Sequence, residues 1–270
     1  MRREPRVVLL TGSERRHRYA AAALDQHADV VGIVSEARAN PSASAALSPE
    51  DRKTIECHLA ERDVVESTLL GEPPAFPVKT LLQSPRGGVN RLEVIDWIRQ
   101  RRPDIVVLFG ASIISPSLLD LFPGRIVNVH LGLSPYYRGS ATNFWPLVER
   151  KPECVGATIH LAVAKVDAGP ILGQVRPNVD VCDRGHDLGT KAILAAFHAL
   201  PLVLLHYHGN RLAPHAQRLA EGRVFRGAAF NAAAVRELSA NIEGGMMSEY
   251  VRDAEARCRV YPIVPVPMEE

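Results

Sequence analysis

The sequence predicts an α/β fold: a mostly parallel β-sheet with helices on both faces, followed by a short C-terminal appendage. Three observations lead there. Continuous apolar runs, VVLL at 7–10 and IVVLF at 105–109, suit strands covered on both faces. Segments of helical apolar spacing alternate with these runs. Past residue 210 the rhythm stops, and glycine and proline punctuate the remainder.

Taken in order, residues 7–10 form the first strand, and Thr11-Gly12-Ser13 opens a helix through Tyr19 and Ala20 to Leu24. DVVGIV at 29–34 reads as a second strand. Alanine and serine dominate 37–46, a charged helix is expected over 49–68, and 71–77 is a loop. The spacing of Leu92, Val94, Ile95 and Ile98 predicts a helix ended by Pro103, just before the buried strand 105–109. A short helix starts at Ser115-Pro116 and stops at Pro123-Gly124. Strands follow at 125–129, 157–161 and 171–175, then a long helix over 188–206 containing Pro201. This alternation is that of a Rossmann-like, doubly wound sheet. Residues 1–210 are expected to form one domain. In the appendage, 211–270, a hairpin or loose extended pair surrounds Glu221-Gly222. A helix over 231–257 then breaks at Gly244-Gly245, and YPIVPVP is extended and proline-stiffened.

At 270 residues, 46% hydrophobic and 23% charged, the chain can bury a sizeable core. A formal net charge of +2 gives no reason to expect a nucleic-acid partner. Cys57, Cys154, Cys182 and Cys258 are scattered without metal-ligand spacing, as expected of reduced thiols in a cytoplasmic protein. The first apolar run is too short for a signal peptide, and no membrane segment is expected.

The segment NVHLGLSPYYRG, 128–139, places Asn128 and His130 at the carboxyl end of a strand, where open parallel sheets gather ligands. Histidine can move a proton near neutral pH, and an asparagine amide can donate to a developing oxyanion. Asp167, in KVDAGPILGQ, is the best candidate for the acid that would orient the histidine. Such a set suits acyl transfer in which the substrate's own amine attacks. Spacing alone leaves this open, because a strand-end Asn or His also serves as a structural hydrogen-bonder and Asp is a common turn residue.

More specific is the ordered series Asn128, His130, Pro135, Arg138-Gly139, Gly156, Thr158, His160, Asp167, Gly169 and Ile171. Across residues 78–206 it resembles the folate-dependent formyltransferases, which include glycinamide ribonucleotide, methionyl-tRNA and sugar N-formyltransferases. The resemblance implies a formyl group moved from 10-formyltetrahydrofolate to a primary amine of a small molecule, with no metal. Asn128 and His130 would stabilise the oxyanion, and Asp167 would assist proton traffic. The donor's pterin would lie against Gly110, Ala111, Ser112 and Ile113 or Ile114, and against 162–166, including Val163 and Val166. A formyltetrahydrofolate hydrolase, or an inactive folate-binding protein of this fold, is the alternative reading.

The acceptor side departs from the family's familiar members. TGSERRHRY at 11–19 replaces the glycine- and serine-rich phosphate loop expected of the ribonucleotide enzyme. Ser13 and Arg16 could still hold an anion there, and a solvated helix face is the other reading. The appendage is too short for a tRNA-binding domain. Tyr137, Arg138 and Asn143, within an aromatic stretch, are expected to hold the acceptor, an amino sugar or nucleotide-linked sugar in preference, and core packing is the other reading for some of that stretch. A helix over 56–66 could be a lid or a solvated surface helix. No nucleic acid and no membrane are expected as partners, and a homodimer is left open.

Overall fold

The computed structural model of the chain describes residues 4–37, 47–76 and 81–268; the alanine- and serine-rich stretch at 38–46 falls outside the described residues. Five strands run parallel, in the order β3 (Leu81–Ser84), β2 (Asp29–Glu36), β1 (Arg6–Thr11), β4 (Ile105–Phe109) and β5 (Ile126–His130). Beyond β5 the sheet continues antiparallel through β7 (Ala157–Leu161) and β8 (Ile171–Val175).

The strand pleat sorts side chains into two cores. Val7, Leu9, Val107, Phe109, Val127 and Val129 share one with Ala20 and Leu24 of α1 (Arg15–Asp25) and with Phe197 and Leu200 of α6 (Gly185–His208). Val8, Leu10, Val106, Leu108 and Ile126 share the other with Ile95 and Ile98 of α3 (Leu92–Gln100) and Leu118 of α4 (Pro116–Leu121). Val127 and Val129 face α1 and α6, so Asn128 and His130 must point to the opposite face, alongside Ile126. The period of two thus answers why polar residues alternate with valines in β5.

By length and composition α6 would suit a membrane, but 56% of its apolar window is buried within the protein, where it packs on the sheet. The charged helix expected over 49–68 is α2 (Pro49–Leu70), started by Ser48, whose side chain accepts the Asp51 amide at 3.1 Å. It is neither free nor fully solvated. It packs against α1, α6 and α7 (Ala232–Glu243), burying Ile55, Val65, Leu70 and the carboxylate of Glu66.

The hairpin or loose extended pair expected over 211–226 does not form, because the segment pairs with distant strands and not with itself. His215 instead bridges Ile171 of β8, and β9 (Arg223–Phe225) pairs in parallel with β6 (Tyr137–Gly139). Open edge groups explain the difference: β8 ends the sheet, and its free backbone groups are taken by His215 and by Val264, which accepts from the Gln174 amide at 2.8 Å. The rest of the appendage is α7, packed on the short α5 (Trp145–Val148), and α8 (Met246–Val260), the two divided at Gly244-Gly245 as the glycines suggested.

Candidate active site

Asn128 and His160 are direct partners across the antiparallel pair β5/β7, so their side chains share a face. The Leu161 carbonyl, 2.8 Å from His160 Nδ1, can only accept; that nitrogen therefore carries the proton and Nε2 is a bare acceptor. Asn128 Nδ2 donates to it at 3.1 Å and to Asp167 Oδ1, also at 3.1 Å. Two acceptors thus fix the amide's orientation.

Asp167 reaches this face from the loop between β7 and β8, with a left-handed backbone (φ 46°). Its second oxygen, Oδ2, accepts the Gly139 amide at 2.8 Å and lies 3.4 Å from His130 Nδ1. Gly139 is itself left-handed at φ 98°, and a Cβ there would collide with the Phe225 carbonyl. The structure therefore brings Asn128, His130 and Asp167 together, and adds His160, quoted in the sequence motif without a role.

His130 Nε2 donates to the Tyr137 carbonyl at 3.0 Å, which leaves Nδ1 facing the carboxylate. Burial pushes the His130 imidazole below its ordinary range, against the upward pull of Asp167 and of the Tyr137 carbonyl. Burial alone would raise Asp167, but His130 and the Gly139 amide outweigh it and hold the carboxyl at about 2. At neutral pH two acceptors, Nδ1 and Oδ2, consequently face each other. One proton placed between them would satisfy both.

On the expected donor side, Gly110 is left-handed (φ 70°), and Ile113 is 74% exposed. Ile114 and Ala111 instead pack on the second core together with Ala162, which brings the loop after β4 beside the loop after β7. Val163 and Val166 are exposed at 42% and 37%. Sequence reasoning missed Glu36, a buried carboxylate that accepts the Ser112 amide at 2.7 Å and the Val89 amide at 3.2 Å. A glutamate at a strand end gives no sign of burial. The exposed apolar side chains and loop backbone here fit an amphipathic ring such as a pterin.

The expected acceptor residues divide. Arg16 is ion-paired with the buried Glu66, while Arg15 and Arg18 both reach Glu72. Glu14 and His17 form a reciprocal capping box at the start of α1, so a protein carboxylate already sits at that helix end. Ser13 is exposed, and its carbonyl accepts from Arg18. Tyr137 turns into the core: its hydroxyl donates to Glu149 at 2.6 Å and its ring stacks on Phe225, which also stacks on Trp145. The ring surface read as an acceptor wall is thus covered by the appendage. Arg138 and Asn143 differ. Nε and Nη1 of Arg138 and Nδ2 of Asn143 are buried donors without a partner.

The sequence model of the formyl transferase family matches residues 6–204. Phosphoribosylglycinamide formyltransferase of Escherichia coli K12 is 34% identical over 125 residues, 46% of this chain and 58% of that protein. The chain therefore spans little more than half the length of this relative. A sugar N-formyltransferase from a Shewanella species superposes with a TM-score of 0.55 at 17% identity, covering 84% of this chain and 78% of that one. Formyltetrahydrofolate deformylase from Pseudomonas syringae pv. tomato gives 0.54 at 19% identity, covering 79% and 64%. These structural likenesses bear on the fold, and they agree with the Rossmann-like sheet. The family match includes Asn128, His130, His160 and Asp167. The chain belongs to the formyl transferase family.

Proposed function

We propose that the protein transfers a formyl group from 10-formyltetrahydrofolate to a primary amine of a small molecule, in the cytoplasm, through Asn128, His130 and Asp167. The observation that carries this reading is His130 Nδ1 set 3.4 Å from Asp167 Oδ2, beside the Asn128 amide. When bound, the folate supplies an activated formyl carbonyl. The proton lost by the attacking amine is received between Nδ1 and Oδ2, and the same pair returns it to the departing folate nitrogen. Taking up that proton makes His130 an imidazolium. Its charge, and the Asn128 N–H that leaves Asp167 Oδ1 for the substrate, then stabilise the oxyanion developing on the formyl oxygen. Ile113, Val163 and Val166 serve as the apolar wall for the donor, with the backbone of Gly110, Ala111 and Ser112 reading its edge.

For the acceptor, the partnerless donors of Arg138 and Asn143 favour a molecule rich in oxygen acceptors, and an amino sugar fits that chemistry. Glu14, Glu66 and Glu72 already pair with the basic cluster of α1, which removes the argument for a diphosphate bound there. Residues 1–210 act as the transfer domain in this reading, with 211–270 as its appendage. The test is tetrahydrofolate release from the formyl donor in the presence of amino sugars, glycinamide ribonucleotide and amino acids. Release that depends on an added amino sugar is expected. Equal release in water alone would instead assign a hydrolase, which the same three residues could serve.

A further inference from the structure

The segment after α6 lies beyond the region matched by the family model, yet it reaches the proposed catalytic turn. His215 and Ile171 exchange two backbone hydrogen bonds, each 2.7 Å, which fixes the register of the extended segment that follows. Two residues on, and hence on the same side, Gln217 Nε2 donates to the Asp167 carbonyl at 3.0 Å and to the Gly169 carbonyl at 2.6 Å. Carbonyls only accept, so the amide must present its NH2 group to them. Gln217 Oε1 is left buried without a partner, which leaves the amino group as the useful end of this side chain.

The turn needs such a clasp. Asp167 is a non-glycine residue in the left-handed region, and Gly169 sits so close to the Leu161 carbonyl that a Cβ would collide with it. The only other side chain bonded to the Asp167 carbonyl among the described residues is Ser134, whose Oγ is 3.4 Å away. We propose that Gln217 is a positioning residue: by clamping the carbonyls of Asp167 and Gly169 it aims the Asp167 carboxylate at His130 and Asn128. This rests on the formyl-transfer reading for its consequence in turnover, and on geometry alone for its consequence at His130.

The test compares Gln217→Met, which has similar length and no donor, with Gln217→Glu and Gln217→Lys, and with the exposed neighbour Arg218→Ala as control. In Gln217→Met, kcat for tetrahydrofolate release should fall about tenfold to a hundredfold while the amine KM stays within about threefold, since displacement of a catalytic group by about 1 Å has that cost. Gln217→Glu, which sets a carboxylate against two carbonyls, should lose at least as much. Gln217→Lys restores a donor and should recover most of the loss, and Arg218→Ala should match wild type. Nuclear magnetic resonance titration of His130 gives a readout that needs no turnover. Its pKa should drop further in the Met variant, because the carboxylate that raises it has moved. If wild type transfers no formyl group, the functional reading fails and the titration still decides this one. Wild-type kcat in an active Gln217→Met, or in Gln217→Glu should the Met variant not fold, overturns the assignment. So does an unshifted His130 titration.

Discussion

Asn128 and His160 share a hydrogen bond whose polarity is set one residue further on, at the Leu161 carbonyl. Because Nδ1 must donate to that carbonyl, Nε2 must accept, and the Asn128 amide is held with its NH2 group toward Asp167. His160→Leu should therefore reduce kcat by about ten- to a hundredfold with a smaller change in KM, as expected when a supporting shell of a catalytic donor is lost. Steady-state kinetics on a folded variant checks this; an unchanged kcat would remove His160 from the mechanism.

Asn128→Asp is nearly isosteric and would place two carboxylates about 3 Å apart, where both cannot ionise together. Turnover should fall by at least about a hundredfold, the scale found when an oxyanion donor is removed. Stability should drop at neutral pH and recover as the pair takes up one proton on acidification. Thermal melts between pH 4 and 8 would show whether the variant's deficit narrows in that direction.

The pH dependence of the wild type follows from His130 and Asp167. His130 is depressed in the folded state, chiefly by burial, so the acid limb of kcat/KM should lie below about pH 6.5, the ordinary value for histidine. For stability, the unfolded chain takes up the histidine proton first as pH falls through that value, so His130 weakens the fold on acidification. Asp167, held at about 2, contributes stability that is complete above its ordinary range near 4 and lost as pH falls toward 2. In Asp167→Asn the acid limb should move lower still, because the carboxylate that raises His130 is gone. A limb that moved upward would contradict the pairing.

Glu36 ties the loop after β4 to the short turn at Val89 through two backbone amides. Glu36→Leu leaves both amides without an acceptor, and loss of such partners costs about 1–3 kcal/mol each where they are buried. Weaker binding of a folate analogue, read by calorimetry, should accompany a modest fall in melting temperature. Unchanged affinity would separate this loop from the donor site.

A second acid-sensitive contact joins α2 to α6. The rings of His58 and His186 lie 4.2 Å apart, beside Phe144 and Phe230. Burial, and then Arg62, lowers His58 to about 4; burial, His58 and the nearby arginines lower His186 to about 3. Both fold as neutral rings, so stability should decline as pH falls below about 6.5, where the unfolded histidines begin to bind protons. His186→Phe should flatten that decline. A wild-type slope between pH 6 and 4 in this variant would show that the pair is not its source.

How legible all this was in the sequence depended on range. β1, β4, β5, β7 and β8 are apolar runs whose burial follows from composition, and the N-terminal signals of α2 and α4 are local. β3, β6 and β9 are three or four residues long and partly polar, so no periodicity marks them. The turn residues Glu221-Gly222 suggested a hairpin, but the true partner of Arg223–Phe225 lies at Tyr137–Gly139, far back in the chain. Residue type and motif order single out Asn128, His130 and Asp167, whose side chains the fold brings together. Arg16 offered itself as an anion ligand because Glu66, fifty residues away, gives no sign in sequence of being its partner. Tyr137 likewise reads as a binding surface in sequence, because Phe225, which covers its ring, lies far along the chain.

The pairing of β6 with β9 also bears on biosynthesis. On the ribosome the chain emerges in order, and β5 with its Asn128 and His130 is made long before Gln217, Phe225 or Val264. Until those last segments emerge, the nascent chain carries an uncovered β8 edge, a turn at Asp167 without its clasp, and bare rings on Tyr137 and Trp145. Such a partly made chain is a template for unwanted strand pairing, so truncation before about residue 226 should give aggregation rather than a smaller working enzyme.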